Sequence, residues 1–155
     1  MEDRIRRATA DDQAAISRLV HGARLNPRGL DWRRFVVAEA GGAPVGVGQV
    51  RRHPDGGREL ASLVVLSEHR DRGVAGGMID ALLTDEPGPV FTLVDRRYAE
   101  HFTRWEFRRV DPADLPRSMA RQLRIGRVVT AIGSLLIGRR IRLLPLCRPP
   151  HDPSG

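Results

Sequence analysis

Residues 70–76 combine charged and small side chains in a pattern that could bind an anion. Arg70, Asp71 and Arg72 are followed by Gly73, Val74, Ala75 and Gly76. Small residues at a helix start let a ligand approach the backbone, where unpaired N–H groups and the helix dipole favour negative charge. We therefore predict a site for a pyrophosphate-like group, called the candidate anion site below. The alternative is that the glycines only allow a helix to pack closely on a sheet.

The elements on either side of the candidate anion site have different periodicities. An apolar stretch that includes Leu63, Val64 and Val65 predicts a strand before it. Val74, Met78 and Leu82 recur at helical spacing after it, which predicts an amphipathic helix. A strand, a short loop and a helix start should therefore hold residues 70–76.

The rest of the chain predicts further strands and helices of a mixed α/β sheet. Before the candidate anion site we expect strands over residues 4–8, 35–40, 45–50 and 59–66, and a helix from residue 11 or 12 to residue 22. After the helix that contains Val74, Met78 and Leu82, we expect strands over 90–94, 107–110 and 142–147 and helices over 98–105 and 118–137. Gly126 and Gly133 could break the last helix.

All 26 basic residues are Arg, and the formal net charge is +7. Because there is no Lys, neither a Schiff base nor the lysine of a nucleoside-triphosphate loop is available. The excess charge lies at the C-terminal end, where eight Arg follow residue 116. Arg117, Arg121, Arg124 and Arg127 lie near the apolar residues Val128, Val129 and Ile132, so this segment could dock on nucleic acid or anionic lipid. We favour packing of the helix on the sheet, and we expect no nucleic-acid partner.

Cysteine and histidine usage indicates a cytoplasmic protein without a metal site. Cys147 is the single cysteine, so no intrachain disulfide can form. The five His residues are scattered without the spacing of metal ligands. The longest apolar run, residues 128–137, is too short to span a bilayer. We also expect no signal peptide, and we leave a homodimer open.

The segment Arg70-Asp71-Arg72-Gly73-Val74-Ala75 resembles the acetyl-CoA motif Gln/Arg-x-x-Gly-x-Gly/Ala of the GNAT superfamily of N-acetyltransferases. Residues 4–9, 35–39, 45–48 and 101–107 are similar to other strands and helices of that family. The resemblance implies an α/β fold: a mixed, mostly antiparallel sheet, splayed in the middle, with helices on both faces. It places a single domain over residues 1–148, followed by a disordered tail over 149–155.

The resemblance also implies which residues bind acetyl-CoA, the expected co-substrate. The backbone of Leu63, Val64 and Val65 would bond the pantetheine arm, and the Val65 N–H would polarise the thioester carbonyl. Backbone N–H groups from Arg70, Asp71, Arg72, Gly73, Val74, Ala75 and Gly76 would take the pyrophosphate. No metal is expected.

Two residues are candidates for catalysis by analogy with the family. Glu59 would share one strand face with Ala61, Leu63 and Val65 and could act as base, or it could be an exposed strand-end residue beside Arg58. The family's usual Tyr corresponds to Phe102, so Tyr98, one turn earlier on the same helical face, is the candidate acid. Glu106 stands where the family has Gly.

The function implied is an enzyme, an N-acetyltransferase that moves an acetyl group from acetyl-CoA to a primary amine by direct attack. The acceptor would be a small, amino-acid-like molecule, with Asn26, Arg28, Asp31, Trp32 and C-terminal Arg residues as candidates to bind it. Because Phe102 cannot protonate a thiolate, a module that binds acyl-CoA without catalysis is an alternative function. A protein N-terminal acetyltransferase is a second alternative.

Overall fold

The computed structural model describes residues 3–138 and 140–150. Its α-helices are α1 (Gln13–Gly22), α2 (Val74–Leu83) and α3 (Arg117–Ile137), and a 3₁₀ helix covers Arg96–Trp105. Its strands are β1 (Arg4–Arg7), β2 (Phe35–Ala40), β3 (Ala43–Arg52), β4 (Arg58–Val65), β5 (Val90–Asp95), β6 (Arg108–Arg109) and β7 (Leu143–Arg148). Residues 151–155 of the predicted tail lie outside the described residues.

The strands form a mixed sheet in the order β1-β2-β3-β4-β5-β7-β6. Strands β1 and β2, β2 and β3, β5 and β7, and β6 and β7 pair antiparallel. Strand β4 runs parallel to β5, with Glu59 opposite Phe91. The predicted α/β class with a mostly antiparallel sheet is confirmed.

Residues 3–51, together with residues 60–86, form one compact unit. Ile16, Leu19 and Val20 of α1 pack with Phe35 and Val37 of β2 in a buried cluster. Burial of each such side chain contributes roughly 1.5–3 kcal/mol relative to exposure. The helical spacing of these apolar residues therefore fixes which face of α1 is buried.

A bidentate ion pair lies at the N-terminal side of α1. The Arg6 guanidinium donates to Asp12 Oδ2 at 2.7 Å and to Asp12 Oδ1 at 3.0 Å, and its Nε donates to Glu39 at 3.0 Å. The Thr9 backbone N–H also donates to Asp12, at 2.7 Å. Hydrogen bonds from Arg6 are the main reason that the pKa of Asp12 is lowered to about 2. Asp12 therefore links β1 to the turn before α1.

Residues 52–59, together with the described residues from 87 to 150, form a second compact unit. Met119 and Leu123 of α3 are buried with Leu115, and Leu143 of β7 packs against this cluster. Helix α3 runs unbroken through Gly126, where an added Cβ would lie 2.9 Å from Leu143 Cδ1. Gly126 thus permits a close approach to β7 and does not break the helix.

The last helix was expected to pack on the sheet. One of its faces makes core contacts, but the expectation is wrong for Val128, Val129 and Ile132. All three are exposed. The face carrying Met119 and Leu123 makes the core contacts instead. In the described part of the chain, no helix is both long enough and apolar enough to cross a membrane.

Candidate active site

The candidate anion site begins where β4 ends and finishes in the first turn of α2. Gly73, with a φ of +79°, precedes the helix, and no side chain caps the helix start. The first N–H groups of an α-helix have no partner within the helix, so these groups are open to a ligand. Arg70 is held at this place because its Nε donates to the Val65 carbonyl at 3.0 Å.

The candidate anion site carries two guanidinium groups and one carboxylate. Arg70, Asp71 and Arg72 are all exposed, and the first turn of α2 carries no acidic residue. Arg72 Nη1 lies 3.3 Å from His69 Nδ1. Fixed guanidinium charge beside a helix N-terminus favours a phosphate group. The residues present therefore fit the diphosphate of a coenzyme A molecule.

The glycines of this region have separate tasks. A Cβ on Gly77 would collide with Ile5 of β1, so Gly77 serves the packing of α2 on the sheet. A Cβ on Gly73 would meet no atom within 4 Å, but its left-handed backbone favours glycine. The packing interpretation thus explains Gly77, while Gly73 forms the turn that opens the helix start towards solvent.

Strand β4 does not alternate as the sequence predicted. Ser62 has a φ of +56°, and left-handed backbone inside a strand is typical of a bulge. The expectation that Glu59, Ala61, Leu63 and Val65 share one face is therefore wrong, because a bulge shifts the alternation by one residue. Leu63, Val64 and Val65 form the end of β4 after the bulge.

Gln49 of β3 is a polar residue at this bulge. It is fully buried, and its Nε2 donates to the Ser62 hydroxyl at 2.9 Å. Among the described residues, none donates a hydrogen bond to its buried Oε1. A buried acceptor of this kind suits an ordered water or a substrate N–H group.

Glu59 is 2% exposed, so the alternative of a solvated strand-end residue is wrong. Gln122 of α3 donates from Nε2 to Glu59 Oε1 at 3.1 Å and to Oε2 at 2.7 Å. His53 Nε2 lies 3.9 Å from Glu59 Oε2. The carboxylate is thus buried beside two polar side chains and is held by the amide of Gln122.

Sequence reasoning missed Gln122 and His53 as neighbours of Glu59. Gln122 is 63 residues away along the chain, and periodicity carries no information on such a contact. The available signal was a Gln between the buried residues Met119 and Leu123 on a helix. A polar residue near a buried helix face usually has a hydrogen-bond partner.

Tyr98 lies on the 3₁₀ helix and is 51% exposed. The expectation that Tyr98 shares a helical face with Phe102 is wrong, because residues three apart share a face of a 3₁₀ helix and Tyr98 therefore lies beside His101. The two rings stack with centroids 6.3 Å apart, and the Arg97 guanidinium lies 5.2 Å from the Tyr98 ring. The hydroxyl of Tyr98 is therefore attached to a ring that two neighbours hold in place.

Phe102 and Glu106 mark the two departures from the family pattern. Phe102 packs edge-on against Phe107, with centroids 5.8 Å apart. Glu106 has a φ of +66° and ends the 3₁₀ helix in a left-handed conformation. Glycine adopts this conformation without steric cost, which explains physically why a glycine would suit this position.

The loop before β2 carries the residues predicted to bind the acceptor. Asn26 and Arg28 are exposed, and the Arg28 carbonyl accepts a hydrogen bond from Arg51 at 2.9 Å. Asp31 accepts from the backbone N–H of Arg33, which lowers the pKa of Asp31. Trp32 packs against the core cluster of the first unit. Trp32 therefore anchors the loop, and Asn26 and Arg28 remain exposed to solvent.

The chain matches the family model described as an acetyltransferase (GNAT) domain over residues 31–108, which is half of its length. No curated protein matches the sequence. Among solved structures, it is similar to N-acetylglutamate synthase from Neisseria gonorrhoeae, solved with coenzyme A and L-arginine. That match has 18% identity and a TM-score of 0.72, and it covers 97% of this chain but 34% of the synthase.

Two further similar structures match over nearly their whole length. A Mycobacterium tuberculosis protein in complex with CoA has 22% identity and a TM-score of 0.68, with 93% of this chain and 97% of that one covered. Diaminobutyrate acetyltransferase from Paenibacillus lautus, solved with L-2,4-diaminobutyric acid and coenzyme A, has 16% identity and a TM-score of 0.62. There the coverage is 96% of this chain and 95% of that one. At these identities the likeness shows a shared fold.

Proposed function

Because the chain belongs to the GNAT acetyltransferase family, we propose that it transfers the acetyl group of acetyl-CoA to the primary amine of a small, amino-acid-like acceptor. The observation that carries the proposal is the uncapped start of α2 beside Arg70 and Arg72. This segment lies inside the range that matches the family, and its charge and open backbone suit a diphosphate. The proposed binding residues are therefore Arg70 to Gly76, with the backbone of Leu63 to Val65 for the pantetheine arm.

The thioester of acetyl-CoA supplies an electrophilic carbonyl and a thiolate leaving group. In the proposed reaction, a bond forms between the amine nitrogen and the acetyl carbon, and the carbon–sulfur bond breaks. The Val65 N–H stabilises the carbonyl oxygen, and Glu59 accepts the proton that the amine loses. Tyr98 donates a proton to the leaving thiolate. Gln49 Oε1 orders a water molecule but takes no proton itself.

A carboxylate on the acceptor is the second part of the proposal. Arg28 presents an exposed guanidinium on the loop before β2, and guanidinium groups pair with carboxylates through two parallel hydrogen bonds. The structure of diaminobutyrate acetyltransferase, which shares this fold, holds an amino acid as its substrate. A small amine that carries a carboxylate is therefore the class of acceptor that we propose.

The proposal is tested by thiol release from acetyl-CoA against a panel of amines. The panel contains amino acids, neutral amines, diamines and a peptide N-terminus. We expect turnover with an amino acid and a marked increase in KM for that acceptor, with the KM for acetyl-CoA unchanged, in Arg28→Gln. Turnover with the peptide alone would favour the protein N-terminal activity and overturn the small acceptor.

Two substitutions separate binding from catalysis. Ala75→Glu places a negative charge in the candidate anion site, so thermal stabilisation by acetyl-CoA should be lost. Ala81→Glu makes the same change further along α2 and should retain that stabilisation. Glu59→Gln should retain stabilisation by acetyl-CoA and lose about 100-fold or more in kcat. An unchanged kcat in Glu59→Gln would remove Glu59 from the mechanism.

Phe102 supports one other function, which is acyl-CoA binding without turnover. A phenylalanine at the position of the family's usual tyrosine cannot protonate a thiolate. If acetyl-CoA stabilises the protein and no amine in the panel releases thiol, the binding module is the better assignment.

A further inference from the structure

Helix α3 carries an exposed apolar stripe that packs against no core cluster. Ile125, Val128, Val129, Ile132 and Leu135 are between 52% and 87% exposed. Their spacing of three and four residues places them along one side of the helix. Large contiguous apolar surfaces on a folded domain usually mark a binding surface.

The helix does not need this stripe for its own packing. Met119 and Leu123, on another face, are buried in the core of the second unit, and Gly126 lies against Leu143 of β7. Folding therefore explains one face of α3 and leaves the apolar stripe unexplained.

Charge identifies the kind of partner that fits the stripe. Helix α3 contains four Arg residues and no acidic residue. Arg117, Arg121 and Arg124 are exposed, and their helical spacing places them on the same side as the stripe. Arg117 and Arg121 lie about two turns and about one turn before Ile125, and Arg124 directly precedes it. Arg140 and Arg142, which follow the helix, are exposed as well. The surface thus offers apolar contact and positive charge together.

We propose that α3 docks in the plane of an anionic lipid surface. The apolar stripe enters the boundary between headgroups and acyl chains, and the guanidinium groups bind the lipid phosphates. The stripe extends for about 15 Å at a rise of 1.5 Å per residue, which suits a helix lying along the surface. The flexible stems of Arg side chains allow their charged ends to reach the headgroups.

Two other occupants fit these observations less well. In a symmetric pair of chains, the helix would meet a second copy that brings the same Arg residues and no acid to pair with them. A nucleic acid would pair with the Arg residues but would leave the Ile, Val and Leu side chains in contact with water. An anionic lipid surface satisfies both parts of the face.

The test is flotation of the full chain with vesicles of phosphatidylcholine mixed with phosphatidylglycerol, compared with vesicles of phosphatidylcholine alone. We expect binding to the anionic vesicles that weakens as salt is raised. Val128→Ser/Val129→Ser/Ile132→Ser should weaken binding at least about tenfold, and Arg121→Gln/Arg124→Gln should weaken it about tenfold. The matched control Arg108→Gln/Arg109→Gln removes the same charge from β6 and should bind like the unaltered chain.

A second readout does not depend on loss of binding. Ile132→Trp should show a blue shift of its fluorescence when anionic vesicles are added, measured against the unaltered chain with its two native Trp residues. Absence of binding, equal binding to both vesicle types, or equal loss in the β6 control would each overturn the proposal. A dimer in gel filtration that the triple Ser variant abolishes, without vesicle binding, would identify a second copy as the occupant. Salt-sensitive DNA or RNA binding that survives the Ser substitutions, again without vesicle binding, would identify a nucleic acid.

Discussion

Replacing Gln122 with Ala tests whether the buried carboxylate of Glu59 depends on the amide of α3. The amide donates to both carboxylate oxygens, at 3.1 Å and 2.7 Å, and Glu59 is 2% exposed. A hydrogen bond to a charged group contributes about 1.5–3 kcal/mol. We therefore expect the free energy of unfolding at pH 7 to fall by about 2–3 kcal/mol. For a domain of this length, that is a decrease in Tm of about 4–12 °C.

The cause of this loss would be a buried charge that has lost a donor, so removing the charge should compensate. Glu59→Gln in the Gln122→Ala background should be more stable than Gln122→Ala alone, with a coupling energy of about 1–2 kcal/mol. If Gln122 contributed only packing, Glu59→Gln would not increase the stability of the Gln122→Ala variant. The double-mutant cycle therefore distinguishes electrostatic support from simple contact.

The assay is urea unfolding followed by circular dichroism at pH 7. Arg121→Ala is the control, since it makes an Ala on the exposed face of the same helix. The reasoning fails if Gln122→Ala costs no more than the control, or if the double variant is less stable than Gln122→Ala alone.

Three further predictions concern other described contacts. Tyr98→Phe keeps the ring stacked on its neighbour and removes the hydroxyl, so kcat should fall about 100-fold and Phe102→Tyr should restore part of it; unchanged turnover in Tyr98→Phe would contradict the acid role. Glu106→Gly relieves a left-handed backbone and should raise the free energy of unfolding by about 1 kcal/mol in thermal melts, whereas Glu106→Ala should give no gain. The pKa of Asp12 falls from 3.8 to about 2 on folding, so its contribution to stability, about 2 kcal/mol, is present above about pH 4 and is lost as pH falls towards 2. Urea unfolding between about pH 4 and pH 2 measures how the free energy of unfolding changes with pH. In Asp12→Asn this change should be smaller by the contribution of Asp12, and an unaltered pH dependence would count against the Arg6 pairing.

The sequence predicted those parts of the fold that depend on local pattern. The short apolar run of β2 and the helical spacing of Val74, Met78 and Leu82 predicted elements that the structure contains. The start of α2 also followed from local pattern, because the apolar periodicity becomes helical after Gly73. These features need no knowledge of which distant residues meet.

The parts that could not be predicted depend on contacts between distant residues or on backbone conformations that local pattern does not specify. The left-handed conformation of Ser62 is unusual for a residue other than glycine, so alternation gave the wrong faces for β4. Gln122 reaches Glu59 across 63 residues. The exposure of Val128 and Ile132 was missed because an apolar stripe on a helix is normally assigned to the core.

The bulge at Ser62 has a consequence for any attempt to recombine this strand with that of another chain. It acts as a phase shift in β4, so the half that carries Glu59 and the half that carries Val65 follow different alternation frames. In a chimera, one half of β4 could be aligned by residue number with a regular strand that has no bulge. The residues on the other side of the junction would then exchange their buried and exposed faces. Deleting Ser62 would instead produce a strand with uninterrupted alternation in which the residues from Leu63 onward keep their faces, so the deletion would remove the bulge without reversing either half.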